Sequence, residues 1–353
     1  MKIRDSLSEN RHFQETSLFL SFKNKPLGFI DAGAAEGVHP LILPAASLVH
    51  CTCFEPDRMA CQKLLEDHQS HPIFAAFSLF DVALGREEAV ASLYVTESPV
   101  NSSLLKPLSM LVDRYGTKGF NVAREEKIRT KSLDQIIYED NKSDHRLGEF
   151  IKLDCQGAEY EILQGGLRTL DEQCVALWCE VEFFPMYENQ MTFPDVDLFL
   201  RQRGFRLYGL YPHYISAKRL NRRVSETEER IVWADALYFK DPLDELNKRR
   251  TFTGRELEVL ILAAILTEYY DYAHELIFSL ALPDRERELL ANMVMELAAK
   301  RKESFMADLA KLTNDFQKSP ENGYLLAKKF VDHHTSNSNV DFIQMNEDIY
   351  DQR

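Results

Sequence analysis

Carboxylates stand at or just beyond the ends of short apolar runs in this sequence: Asp31, Glu55, Asp81, Asp154, and the pair Glu180 and Glu182. A run of that kind reads as a buried strand, and a side chain at its carboxyl end is delivered to the edge of a sheet. Asp31 opens the segment Asp31-Ala32-Gly33-Ala34-Ala35-Glu36-Gly37. Open α/β folds hold nucleotides where a strand feeds a glycine-containing loop and then a helix. Two cofactor classes compete for such a loop. A dinucleotide fingerprint needs small glycines at three places, so that backbone and helix N-terminus can approach a pyrophosphate. Aligned on Gly33, that fingerprint would put Asp31 at its first glycine and Glu36 at its third. Each close pair of like charges is repelled by about 4 kcal/mol at an effective dielectric of about 20. S-adenosyl-L-methionine has no phosphate and carries an ammonium and a sulfonium, so the same carboxylates attract it. The sign of the charge favours the methyl donor.

The cofactor residues expected from this loop are Asp31, Gly33, Ala34, Glu36 and Gly37. A second run ends at Phe54-Glu55-Pro56. A carboxylate about 20 residues beyond the loop can accept hydrogen bonds from both ribose hydroxyls. Pro56 suits the first turn of the helix that follows. The third run ends near Asp81-Val82-Ala83, where the adenine is expected. Asp154, at the end of Phe150-Ile151-Lys152-Leu153, completes the cofactor set.

Positioning these residues requires alternating strands and helices, the pattern of a parallel α/β sheet. Strands are expected at 28–31, 48–54, 73–84, 150–154, 175–181, 206–210 and 231–239, and helices at 37–46, 56–68, 133–138, 158–170 and 194–203. Residues 83–87 and 91–95 suggest an extra hairpin, and 97–124 a long excursion of the kind that often forms a lid. A helix is expected over 5–24, ended by Pro26. After Pro242 the strand pattern stops, and amphipathic helices are expected at 254–281, 284–300, 303–317 and 321–333. The division expected is an N-terminal helix (1–27), a catalytic domain (28–242), a helical C-terminal domain (243–335) and a frayed polar tail (336–353).

The segment Asp154-Cys155-Gln156-Gly157-Ala158-Glu159, continuing through Tyr160-Glu161-Ile162-Leu163-Gln164-Gly165-Gly166, resembles the signature of FkbM-type methyltransferases. The loop from Asp31 to Gly37 resembles that family's first motif, and Phe54-Glu55-Pro56 its second. Ser102-Ser103-Leu104, Thr130 to Asp134, Glu180 to Tyr187 and Trp233 to Leu237 follow in the family's order. The resemblance spans about residues 28–240; Ala35 stands where the family often has Asn, and Gln156 where it often has Glu. It implies a class I, Rossmann-like methyltransferase: a doubly wound, mostly parallel seven-stranded α/β sheet with, here, a C-terminal α-helical extension. It also implies O-methylation of a hydroxyl on a sugar, glycan or polyketide-like metabolite. That chemistry needs in-line positioning of an oxygen and a group to take its proton. The candidates are Asp154, Glu159, Glu180 and Glu182, with Tyr187 and His213 as weaker alternatives. Asp154 has an equal reading as a structural hub, and Glu159 as a first-turn carboxylate favoured by the helix dipole.

Composition narrows the partners. A formal charge of −14 argues against tracking a phosphate backbone, so no nucleic-acid partner is expected. The Asn/Asp-Pro-Pro-aromatic motif of amino-methylating enzymes is missing where Asp154-Cys155-Gln156-Gly157 stands. Six cysteines lack zinc spacing and read as core residues of a reduced compartment; no metal ligand is assigned, and a divalent metal held by the strand-end carboxylates is left as an alternative. Met1-Lys2-Ile3-Arg4-Asp5 leads into a polar stretch, and the longest apolar run falls short of a membrane span, so a cytoplasmic protein is expected. The C-terminal helices either bury their faces on one another, form a contact with a partner or second copy, or close over the substrate. The alternatives to O-methylation are methylation of a nucleic acid or amine, and a degenerate methyltransferase fold serving as a scaffold.

Overall fold

The computed structural model describes residues 6–140, 146–217, 230–247, 250–279 and 282–335; the tail expected at 336–353 lies outside them. From the N-terminus run α1 (Arg11–Gln14), α2 (Ser17–Asn24), β1 (Leu27–Ala32), β2 (Val49–Phe54), α3 (Arg58–Ser70), β3 (Ala76–Phe80), β4 (Ala83–Gly85) and β5 (Ala89–Thr96). Then come α4 (Met110–Tyr115), β6 (Val122–Ser132), α5 (Leu133–Gln135), β7 (Phe150–Leu153), α6 (Glu159–Gly165), α7 (Leu167–Glu172), β8 (Ala176–Glu182) and α8 (Phe193–Gln202). The chain continues through β9 (Arg206–Ile215), β10 (Arg230–Phe239), α9 (Gly254–Leu266), α10 (Tyr270–Ser279), α11 (Asp284–Lys318) and α12 (Gly323–Thr335).

The main sheet has seven strands in the order β3-β2-β1-β7-β8-β10-β9, parallel except for β10, which runs antiparallel to both neighbours. The expected seven-stranded, mostly parallel sheet is therefore present. Its apolar strands are continuous because both faces of a parallel sheet are covered. Ile30, Ala32, Ile151, Leu153, Leu177, Cys179 and Val181 bury one face against Ile162 and Leu163 of α6 and Val196 and Leu200 of α8. Beside the strand starts, the buried Glu149 carboxylate accepts the Gly28 N–H (3.0 Å) and the Nε and Nη2 donors of Arg255 (2.8 and 2.7 Å).

Several local expectations are corrected. The segment expected as a helix at 37–46 forms a 3₁₀ stretch at Pro40–Leu48, with Pro44 denying it an α-helical hydrogen bond. The long third strand breaks into β3 and β4. Residues 83–87 and 91–95 do not form a hairpin: β6 lies between β4 and β5, parallel to the first and antiparallel to the second. The helix expected at 158–170 is interrupted at Gly166. Pro56 precedes its helix instead of opening it, because Asp57 is the N-cap, accepting the Ala60 N–H at 2.9 Å.

The described residues fall into two compact units, one made of those within 25–38 and 48–260, the other of those within 6–24, 39–47 and 261–335. In the second, α1 and α2 replace the single helix expected over 5–24, and Glu286 of α11 accepts the Ser17 N–H at the start of α2 (2.8 Å). The helices expected at 284–300 and 303–317 are one, α11, since no Gly or Pro interrupts the stretch between them. The helix expected over 254–281 is divided at Glu268, whose φ is +62°. Among the described residues, no helix is long and apolar enough to cross a membrane.

Candidate active site

The order of the main sheet reverses at β1 and β7, and the crevice at their carboxyl ends is where an open α/β sheet takes a ligand. There the loop after β1 touches the loop after β7. The Asp154 N–H donates to Ala32 O (3.2 Å), and Gly33, at φ +80°, packs so closely that a Cβ would lie 1.8 Å from the Asp154 carbonyl oxygen. Only glycine fits. Asp31 is fully buried and pairs in register with Lys152 on β7. The Lys152 Nζ lies 3.1 Å from Asp31 Oδ1 and 3.7 Å from Asp154 Oδ2, and donates to Gly33 O at 3.0 Å. Burial opposes the ammonium charge, but Asp31 and Asp154 outweigh it and hold Lys152 above its ordinary value.

Asp31, expected from the loop to attract the cofactor's positive charge, is instead paired with Lys152 inside the fold. Asp31 is neutralised inside the protein and shapes the site from behind. The negative charge presented outward belongs to Asp154, whose side chain is 39% exposed, and to the exposed Glu36. Ala34 is buried, and Gly37, at φ +121°, has open space where a Cβ would stand.

At the end of β2, the Glu55 N–H donates to Phe80 O (3.1 Å), and its carboxylate accepts the Asp57 N–H (2.8 Å). Burial pushes the Glu55 carboxyl up to about 7, against the pull of that N–H. Pro56 is half-buried beside it. Asp81 follows β3 and is exposed, whereas Val82 packs against the core together with Phe80, which stacks on Phe54 at 5.2 Å.

The four carboxylates proposed as catalytic converge at the ends of β7 and β8. Gln156 joins two of them: its Nε2 donates to Asp154 Oδ1 (2.9 Å) and to Glu180 Oε1 (3.3 Å). The amide is oriented by the buried Tyr187, whose hydroxyl donates to Gln156 Oε1 at 3.0 Å. Ser103, in the excursion after β5, donates to the Gln156 carbonyl at 2.6 Å. Gln156 itself adopts φ +55°, and Gly157 φ +94°. A non-glycine residue held in this region signals a conformation imposed by its surroundings. A Cβ on Gly157 would lie 2.7 Å from Gln190 Nε2 and 2.8 Å from Tyr187 Cδ2.

The remaining acids differ in what they can reach. Glu159 is buried and accepts the Cys155 N–H at 2.5 Å; burial pushes it up to about 7. Burial, then Glu159, raise Glu182 well above the carboxylate range, while Gln190 pulls it down. Burial, with Asp154 and then Glu182 beside it, raises Glu180 likewise. Tyr187 is raised by burial and by these acids, which makes it a donor that holds Gln156 and a poor base. His213 stacks on Trp233 and lies 3.7 Å from Asp235, across the sheet. Lys152 is a site residue that sequence reasoning passed over, and Gln156 one it noted only as a departure from the family pattern. A lysine inside an apolar strand was the available signal for the first.

The family model described as the methyltransferase FkbM domain matches residues 31–207. No curated protein sequence matches the chain. Among solved structures, the chain is similar to a methyltransferase FkbM from Methylobacillus flagellatus, at 16% identity and a TM-score of 0.36, covering 61% of this chain and 43% of that one. It thus spans less than half the length of that relative. It is also similar to a Streptococcus pneumoniae putative tRNA (m1A22) methyltransferase in complex with S-adenosyl-L-methionine, at 12% identity and a TM-score of 0.31, covering 79% and 97% of the two chains. A third is M. capricolum TrmK in complex with S-adenosyl-homocysteine, at 7% identity and a TM-score of 0.31, covering 80% and 95%.

Proposed function

The chain belongs to the FkbM methyltransferase domain family, and from that premise we propose that it transfers the methyl group of S-adenosyl-L-methionine to a hydroxyl of a sugar, glycan or polyketide-like metabolite. The observation that carries this reading is the Asp154–Gln156–Glu180 bridge at the carboxyl ends of neighbouring strands. It sets two proton-accepting groups at the crevice of the α/β sheet. In this reading catalysis resides in residues 28–242.

The residues present fit the cofactor. Gly33 lets the loop close against Asp154, and open space at Gly37 leaves backbone that a ligand can approach. Glu55 supplies a buried acceptor where two vicinal ribose hydroxyls need one, and Asp154 faces outward with a charge that suits an ammonium. When bound, S-adenosyl-L-methionine supplies an electrophilic methyl on a positively charged sulfur.

The chain's own residues then position and deprotonate. Asp154 is held by Lys152 on one side and Gln156 on the other, so its orientation is fixed before any ligand arrives. Glu180 is the better proton acceptor of the cluster. It is half-buried, whereas Glu159 and Glu182 are enclosed. Burial, then repulsion from Asp154 and Glu182, raises its affinity for a proton, and a cation placed beside it favours the ionised form, ready to take the proton of the acceptor hydroxyl. The test is methyl transfer to a panel of hydroxyl and amine acceptors by wild type, Glu180→Gln and Glu182→Gln. Transfer to hydroxyls that Glu180→Gln loses, with S-adenosyl-homocysteine still bound, is expected. Transfer confined to amines would sink the reading.

A further inference from the structure

Three metal-ligating side chains that methyl transfer leaves unused come together in the helical unit. Asp308 lies on α11, and His333 and His334 lie in the last turn of α12. The His334 Nε2 is 3.3 Å from Asp308 Oδ2, and the His333 Nε2 is 3.9 Å from the same oxygen. One ligand atom from each residue falls within 4.8 Å of the others. A four-coordinate metal with bonds of about 2.0–2.1 Å holds its ligand atoms roughly 3.3 Å apart, so small rotamer adjustments close the set.

The arrangement is built around His334. Its side chain is only 6% exposed, and its ring is held by Phe305 (centroids 4.8 Å apart) and Phe330 (4.5 Å). The Nε2 is buried and makes no hydrogen bond among the described residues, although it points at a carboxylate. Arg301 Nη1 lies 3.3 Å from Nδ1. A guanidinium can only donate, so this contact holds Nδ1 as an acceptor; a metal on Nε2 moves the ring proton to Nδ1, and Arg301 must then turn from the ring while keeping its ion pair with Glu268 (2.8 Å).

We propose that Asp308, His333 and His334 form a binding site for a divalent transition-metal cation of the zinc type, which staples α12 to α11. Two imidazole nitrogens and one carboxylate oxygen favour Zn²⁺, Co²⁺ or Ni²⁺ over Mg²⁺ and Ca²⁺, which prefer all-oxygen shells. The half-exposed His333 marks the side open to solvent, where water completes the coordination. Because the site joins residues distant in sequence, the metal binds the folded form. Metal at a hundred times its Kd therefore raises the folded-to-unfolded ratio about a hundredfold.

The experiment uses the full chain, stripped with EDTA and exchanged into chelator-free buffer, and titrated with ZnCl₂ by calorimetry and with CoCl₂ by visible absorption. One equivalent bound, a tetrahedral-type cobalt spectrum, a zinc-dependent rise in Tm, and loss of affinity of about tenfold or more in Asp308→Asn and His334→Gln support the site. Circular dichroism in EDTA checks that each variant is folded. His333→Gln, at an exposed position, gives the same readout if His334→Gln disturbs the helix. No saturable binding, or wild-type affinity in all three variants, overturns the proposal.

Discussion

Glu55 ties cofactor binding to pH in a direction opposite to the pH dependence of stability. Its carboxyl is pushed by burial from 4.5 up to about 7. A carboxyl raised on folding stabilises the protein while protonated, and that stability is lost as pH rises through the folded value. From 4.5 to about 7 the loss amounts to about 3 kcal/mol for the free protein. Accepting two ribose hydroxyls requires the ionised form instead. With a value of about 7, the ionised fraction is about 3% at pH 5.5 and about 90% at pH 8. The apparent Kd for S-adenosyl-homocysteine should therefore be about 30-fold weaker at pH 5.5 than at pH 8. Calorimetry across that range tests this, with Glu55→Gln expected to bind weakly and without the slope. Glu159 is also raised to about 7, so Glu159→Gln is the control and should keep the slope. A flat profile in wild type, or a slope that survives Glu55→Gln, would refute the assignment of Glu55 to the ribose.

Other outcomes follow from the same geometry. Gly33→Ala should destabilise the protein by about 2 kcal/mol or more and abolish S-adenosyl-homocysteine binding, because its Cβ meets the Asp154 carbonyl; denaturant titration and calorimetry read both. Tyr187→Phe frees Gln156 from the hydroxyl that orients it, and should lower kcat about tenfold while leaving cofactor affinity within about threefold. Arg255→Ala leaves the buried Glu149 without its bidentate partner, for a loss of about 3–5 kcal/mol in chemical denaturation that adding Glu149→Gln should partly recover.

The parts of the fold that were legible in the sequence were those whose pattern is local. Runs such as Gly28–Asp31 and Val175–Val181 became β1 and β8 with shifts of a residue or so, because a strand buried on both faces must be continuously apolar. β6 was not legible. Val122–Ser132 is largely charged and exposed, and pairing with β5 and β4, not burial, makes it a strand. The same blindness produced the mistaken hairpin. Register between distant strands was equally hidden: Lys152 beside Asp31 follows from β1 lying next to β7, which no local spacing reveals. Gln156 looked in sequence like the loss of an acid. In the fold its amide donates to both Asp154 and Glu180, where a third carboxylate would add repulsion. The joining of residues 6–24 with 261–279 and 282–335 likewise depends on contacts far apart in the chain.

The central claim is that the crevice between β1 and β7 takes S-adenosyl-L-methionine, and titration of the purified chain with S-adenosyl-homocysteine and, separately, with NAD tests it most directly. The account predicts saturable binding of S-adenosyl-homocysteine at one equivalent and no measurable binding of NAD. Binding of NAD without S-adenosyl-homocysteine would contradict it.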